Sequence, residues 1–433
     1  MGTVVVPYSN IQQAFAERPD AVHKVVDDAI NTVAAGDPER KSKLLADWHQ
    51  AVASLESADQ GSKVLSTPQN DLASRLQTMI AHRAAASDKV QTISPKDTVV
   101  TPQGNETTVE ETVQVKFDNN DLIGWLGTGL VIILDPKKGV FLPPPSAPEP
   151  IPDNAKIAMF SDWGTGMYGA PVIAASIQNK LPACDVILHL GDTYYSGTDD
   201  EVHDRLVKNW PTRTGAVLNR ALNGNHEMYS GGQGYFTALG SFFHQSSSCI
   251  ALQNTNWLLL GLDTAYDDFN IAPAQVDWIN AMIKGAGTRK VILCSHHQPF
   301  SALDEQGPKL QAALGPLLES GRIEAWFWGH EHRLVVYEPH PIWGVKGRCI
   351  GHGGFPSFRD TSIGGHGMTY QWIHIQPRPH APEGLVLDGP NFWVTASPEQ
   401  YSPHGYVFLE FEGAKLFETY RTADNVGLMR WQV

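Results

Sequence analysis

Five short polar clusters, each directly after an apolar run, hold the residues of this 433-residue chain best suited to chemistry. They are Asp162-Trp163-Gly164, Gly191-Asp192-Thr193-Tyr194-Tyr195, Gly224-Asn225-His226-Glu227, Ser295-His296-His297 and Gly329-His330-Glu331-His332. Of the 17 histidines only His23, His49 and His82 precede residue 150, so function should sit in the second part. Two carboxylates, an amide oxygen, a phenol and three imidazoles form a mixed oxygen and nitrogen set. Such a set suits iron, zinc or manganese and disfavours calcium and magnesium. Structural zinc would want closed, cysteine-rich ligation, so ions held here should keep solvent and be catalytic. Seven ligands exceed one open site. They suit two ions about 3.5 to 4 Å apart sharing a bridging carboxylate, which clamps the entering and leaving oxygens of phosphoryl transfer. Singly, each cluster has an ordinary reading: Gly191-Asp192 as a turn, Asn225 as a left-handed turn residue, His226 as a surface imidazole. His330 and His332 alternate along an extended segment and so share one face. Five such clusters in one order, each after a strand, make coincidence the poorer explanation.

Strands must deliver these side chains. After Pro152 the sequence alternates short apolar strands with helix-like segments, the pattern of an α/β sheet whose carboxyl ends gather the ligand site. The strands read from the sequence are 156–160, 186–190, 217–222, 257–262, 291–295 and 325–328. Pro171 and Pro273 stand at first helical turns, before 172–179 and 274–284. The segments 406–411 and 415–420 alternate across Glu412-Gly413 as a terminal hairpin. Upstream, residues 11–90 show helical spacing (Val22, Val26, Ile30; Leu72, Leu76, Ile80), with a stop and restart at Ala35-Gly36-Asp37-Pro38. Residues 112–117 alternate as a strand, and 143–152 holds six prolines, predicting a semi-rigid spacer. The expected division is therefore an α-helical accessory domain over 1–95, a β-containing segment with a proline-rich linker over 96–152, and a catalytic domain over 153–433.

Composition sets the bounds. An apolar fraction of 42% and a charged fraction of 18% fit a globular protein, and the net charge of −14 argues against nonspecific nucleic-acid or anionic-membrane binding. Cys184, Cys249, Cys294 and Cys349 are too few and too scattered for a disulfide framework and read as core thiols. No signal peptide is visible at the start, and the longest apolar stretch, 122–134, is too short to span a bilayer. The expectation is a soluble protein without membrane insertion, either cytoplasmic or exported by a route not readable here.

The order and spacing of the five clusters resemble the calcineurin-like metallophosphoesterase superfamily over residues 155–420. Gly164 stands where most of that superfamily has a metal-binding histidine, and Tyr195 follows Asp192 by three residues, a combination similar to purple acid phosphatases. The resemblance implies a four-layer α/β/β/α sandwich, here with the N-terminal helical accessory domain. It implies a ferric ion on Asp162, Tyr195 and His332, a bridging Asp192, and a divalent ion (Fe, Zn or Mn) on Asn225, His296 and His330. His297 also fits a His-x-Pro pattern and competes with His296 as the ligand. Beside Asn225, His226 would act at the substrate oxygen, and Glu227 would orient its ring or be a solvated turn residue.

The reaction so implied is hydrolysis of a small-molecule phosphate monoester by a metal-bound hydroxide, with His226 or His297 protonating the leaving alkoxide. A phosphodiesterase acting on nucleotide or lipid head-group esters would use the same core, and a catalytically silent binding module would be expected to lack several ligands. Selectivity would come from loops 229–235 and 351–367, where His352, Arg359 and His366 are candidate substrate contacts. The N-terminal helices are where a protein partner would bind, or they cap the rim of the site.

Overall fold

The computed structural model describes residues 4–5, 16, 19–58, 70–85, 96–100, 106–110, 113–114, 130, 133–213, 215–304, 307–360, 363, 367–394 and 398–433. His366 and most of the apolar stretch 122–134 lie outside the described residues. Two sheets face one another. One has nine strands in the order Gln371–Ile375, Gly384–Asp388, Leu334–Pro339, Lys346–Ile350, Ile323–Trp328, Lys290–Ser295, Trp257–Leu262, Ile250–Gln253 and Glu149–Pro150. The other has six, in the order Gly427–Gln432, Lys415–Thr422, Gly405–Glu412, Lys156–Phe160, Val186–His189 and Leu218–Ala221.

Alternation along the strands divides the core. Ile157, Met159, Leu188, Leu259, Ile292, Phe327 and Leu409 meet between the sheets. Ala158, Phe160 and Ile187 turn outward against the helix Gly169–Asn179, while Leu258, Leu293 and Trp326 pack on the helices Pro273–Gly285 and Pro308–Glu319. The layers thus run α/β/β/α, as the sequence led us to expect. The central strands are parallel and buried on both faces, which is why Trp257–Leu262 reads as an unbroken apolar run. Each fully enclosed aliphatic side chain there contributes roughly 1.5 to 3 kcal/mol.

Parallel pairing fixes where chemistry can occur. Lys156–Phe160, Val186–His189 and Leu218–Ala221 run side by side, as do Lys290–Ser295 and Ile323–Trp328. Their carboxyl ends therefore open on one edge, and each is followed by a polar cluster.

The accessory helices Pro19–Ala34, Pro38–Ala58 and Asp71–Ala85 precede this body. The break between the first two follows the sequence signal: Ala35 and Gly36 take positive φ, and Asp37 Oδ1 accepts from the amides of Glu39 (2.9 Å) and Arg40 (3.1 Å). Asn70 Oδ1 caps the third helix by accepting from Ala73 N at 2.9 Å. The proline-rich stretch differs from a free spacer. Glu149–Pro150 adds an edge strand to the nine-stranded sheet, Trp278 Nε1 donates to Pro145 O at 2.7 Å, and the Glu149 carboxylate pairs with Arg220. Proline's missing N–H is tolerated at a sheet edge, so the run lies against the body rather than spanning a gap. All four cysteines are buried and unbridged. Among the described residues no helix is long and apolar enough to cross a membrane.

Candidate metal centre

Two donor groups lie side by side at the strand ends. In one, ligand atoms of Asp162, Asp192 and His332 fall within 4.8 Å of one another; in the other, those of His296, His297 and His330 do. Asp192 links them, its Oδ2 lying 3.2 Å from His296 Nε2. Asn225 Oδ1 is 3.0 Å from His296 Nε2, and His330 Nδ1 is 3.3 Å from it. His332 Nε2 lies 3.4 Å from Asp162 Oδ1, a buried oxygen with no hydrogen-bond partner.

The backbone is bent to achieve this. Asp162 (φ 56°), Asp192 (φ 75°), His330 (φ 67°) and His332 (φ 47°) all occupy the left-handed region, at a cost of about 1 kcal/mol each. Close approach requires glycine beside them. A Cβ on Gly224 would fall 2.1 Å from Asp192 Oδ1, and one on Gly329 would fall 1.9 Å from Ser161 Oγ and 2.6 Å from Asp162 Oδ2. Outer hydrogen bonds fix which ring atom faces inward. His296 Nδ1 bonds Leu190 O at 3.0 Å, which turns Nε2 to the centre, and His226 Nδ1 bonds Tyr195 O at 2.6 Å.

The tyrosine geometry differs from the motif spacing. The Tyr194 hydroxyl donates to Asp192 Oδ2 at 3.1 Å and lies 2.5 Å from His332 Nε2. Tyr195 points elsewhere: its ring lies 5.0 Å under the Arg205 guanidinium, and its hydroxyl is buried without a partner. Thr193 pairs with Gly164 in an isolated bridge and residues 194–196 turn directly after it, which brings the Tyr194 hydroxyl rather than that of Tyr195 to Asp192.

Electrostatics in the centre reflect buried like charges. Burial, reinforced by Asp192, pushes the Asp162 carboxyl up to about 8. Burial also raises Asp192, but the His296 and His226 imidazoles more than offset it and hold that carboxyl well below the usual range. His296 is the counterpart: burial disfavours its charge, yet Asp192 holds it up to about 9. Burial and the Asp192 and Asp162 carboxylates push the Tyr194 phenol well above its ordinary value, so a cation is needed to make it a phenolate. The unpartnered Asp162 Oδ1 and the unpartnered Nε2 atoms of His297 and His330, all buried, are donors in want of an acceptor ion. A pair of transition-metal cations fits this set.

Residues 155–334 match the family model described as calcineurin-like phosphoesterase. No curated protein matches the sequence. Similar solved structures include a purple acid phosphatase, PPD1, from yellow lupin (Lupinus luteus), at 15% identity and TM-score 0.49, covering 66% of this chain and 55% of the lupin chain. A predicted phosphoesterase of Streptococcus pneumoniae TIGR4 matches at 10% identity and TM-score 0.27, covering 65% of this chain and 97% of its own. A Vps29 mutant of Entamoeba histolytica matches at 11% identity and TM-score 0.26, covering 64% and 98%. The chain spans just over half the length of the lupin protein. The match places residues 155–334, which hold all five polar clusters, within a phosphoesterase-like segment.

Around the candidate centre several sequence assignments are redistributed. His297 Nδ1 bonds Thr264 O at 3.0 Å, leaving Nε2 beside His296 and His330, so both histidines reach the centre. Glu227 neither orients His226 nor meets solvent. Its carboxylate accepts from the amides of Gly224 (2.7 Å), Asp192 (3.0 Å) and Thr193 (2.6 Å), tying two ligand loops together. Arg359 is engaged within the fold. It forks onto Asp388 at 2.8 and 2.6 Å and donates to Gly367 O and Glu399 O. His352 also turns away. Its flanking glycines face the site, Gly351 toward Asp162 and Gly353 toward Ser161, so alternation sends the buried His352 ring toward Gly405. Sequence reasoning missed Phe269, whose ring lies 3.9 Å from that of His297, and Phe355, 4.3 Å from that of His332. Neither stands in one of the five polar clusters from which the site was read.

Proposed function

We propose that this protein hydrolyses small phosphate monoesters at a dinuclear centre of purple-acid-phosphatase type, with iron on the tyrosine side and Fe, Zn or Mn on the other. The observation that carries the reading is the Tyr194 phenol set among Asp162, Asp192 and His332, beside an all-imidazole and amide group. Asp162, Tyr194 and His332 would hold the first ion, Asp192 would bridge, and Asn225, His296 and His330 would hold the second. The bound pair would supply neutralisation of the phosphoryl oxygens and acidification of water.

The chain's own groups do the rest. His226 has committed Nδ1–H to Tyr195 O, so Nε2, 3.9 Å from Asp192 Oδ2, is the atom that in the imidazolium form would pass a proton to the leaving oxygen and return to the neutral ring. His297, anchored through Nδ1 on Thr264, presents Nε2 from the other side and would serve as a second proton donor only as the imidazolium. Asn225 Nδ2 donates to Tyr229 OH at 2.6 Å, which turns Oδ1 inward. Phe269 and Phe355 cover the imidazoles and thin the water around them. The deciding experiment is elemental analysis of aerobically purified protein, with a visible spectrum and turnover of a phosphomonoester against a diester. Iron, a visible tyrosinate band and monoester preference are expected; iron-free active protein would sink the assignment.

A further inference from the structure

The helix Asp71–Ala85 is far from the centre in sequence but is built into its surroundings. Ser74, Arg75, Gln77 and Thr78 are buried although polar. Thr78 Oγ1 donates to Glu201 Oε1 at 3.0 Å and pairs with Ser196 Oγ at 2.8 Å. Glu201 also accepts from the amides of Tyr195 (2.8 Å), Ser196 (3.0 Å) and Thr198 (3.2 Å), so one carboxylate sets the loop after Asp192 and receives the helix. On the apolar side Leu72, Leu76 and Met79 share a cluster with Tyr194, Tyr195 and Phe355.

The helix also packs on the short helix Asn225–Tyr229, which carries a ligand and the proposed proton donor. The Tyr229 phenol feels the Asp71 carboxylate at the start of the long helix and Asp268 from the loop bearing Phe269. Asp162, Asp192, Tyr194, Asn225, His296 and His330 are all buried, whereas the His332 side chain keeps 12% exposure. A docking module set apart from the catalytic body would leave the centre's rim uncovered; this one shares its core with the ring at the centre.

We propose that the helix Asp71–Ala85 is a wall of the substrate chamber, admitting compact phosphate esters and excluding phosphate carried on a polypeptide. This rests on the monoesterase reading above. The test uses metal-loaded full-length protein, with p-nitrophenyl phosphate and a long phosphoserine peptide as substrates. Wild-type kcat/KM should favour the small ester by roughly a hundredfold or more, and Thr78→Val combined with Leu76→Ala should narrow that ratio roughly tenfold by raising the peptide rate. Thr78→Val alone, a milder change, should move it in the same direction. Comparable wild-type rates on the two substrates, or a ratio that folded variants leave unmoved, would overturn the wall while leaving the hydrolase intact. No turnover of either substrate would overturn the monoesterase reading and the wall with it.

Discussion

Tyr194 and His332 meet with 2.5 Å between the phenol oxygen and Nε2, and Asp192 Oδ2 stands 3.1 Å from the same oxygen. Tyr195, the residue that motif spacing favours, lies beneath Arg205 instead. In iron-loaded protein Tyr194→Phe should therefore abolish the visible band and lower turnover by roughly tenfold or more. Tyr195→Phe should keep both. The reverse pattern in the two spectra would return the ligand role to Tyr195.

Removal of metal should be felt in stability as well as turnover. Buried Asp162 and Asp192 face one another and three imidazoles, an arrangement that a cation relieves. An ion at a hundred times its Kd stabilises by about 2.7 kcal/mol, so chelation should lower Tm by several degrees and abolish hydrolysis. Calorimetry with and without chelator, followed by reloading with Fe, Zn or Mn, measures both. An unchanged Tm would mean that the pocket binds no ion tightly.

Glu227 tests how the ligand loops are held. Its carboxylate accepts from three backbone amides, those of Gly224, Asp192 and Thr193. Glu227→Gln replaces one acceptor oxygen by a donor, and leaving a buried amide without its acceptor costs roughly 1 to 3 kcal/mol. We expect a loss of about 2 kcal/mol in urea unfolding, with a fall in kcat larger than any change in KM. Unaltered stability would show that the loops stand without it.

His404 gives a pH dependence of folding away from the proposed ligands. Its Nδ1 accepts from Gly169 N at 3.2 Å and Nε2–H donates to Phe355 O at 3.1 Å, so the buried ring is neutral. Burial pushes it down to about 4. Because the folded value lies below the unfolded value of about 6.5, the unfolded chain takes the proton first. The stabilisation is whole above pH about 6.5 and is lost as pH falls toward about 4, amounting to about 3 kcal/mol. Metal-free wild type should therefore lose more stability across that window than His404→Gln. Parallel curves would refute the assignment.

Much of this was legible because periodicity and strand ends are local properties. The strand 156–160 and the strand 257–262 coincide with the observed Lys156–Phe160 and Trp257–Leu262, since an apolar run buried on both faces leaves little choice. The five clusters could be read because each follows its strand directly. What could not be read depends on side-chain direction or on contacts between distant segments. Choosing Tyr194 over Tyr195 needed the turn that follows Thr193, and the pairing of Thr78 with Ser196 joins residues 118 apart. Strands such as Gln371–Ile375 and Gly427–Gln432, half exposed and mixed in composition, carry no strong period-two signal.

Arg359 shows the same limit from the opposite side, since a cation in a glycine-rich loop invites a phosphate-binding role. Its Nε and Nη2 fork onto the two oxygens of Asp388, and the side chains are only 2% and 8% exposed. Arg359→Ala strands the Asp388 carboxylate in a buried position, which costs about 3 to 5 kcal/mol. Arg359→Lys keeps the charge but cannot reproduce the planar fork, so it should recover only part of that loss. A substrate contact behaves differently: KM for the phosphate ester would rise while Tm held. We expect Tm to fall and KM to stay within about twofold of wild type in whatever fraction remains folded. Denaturant curves and KM on the same preparations decide between the two, and a raised KM at unchanged stability would restore Arg359 to the substrate.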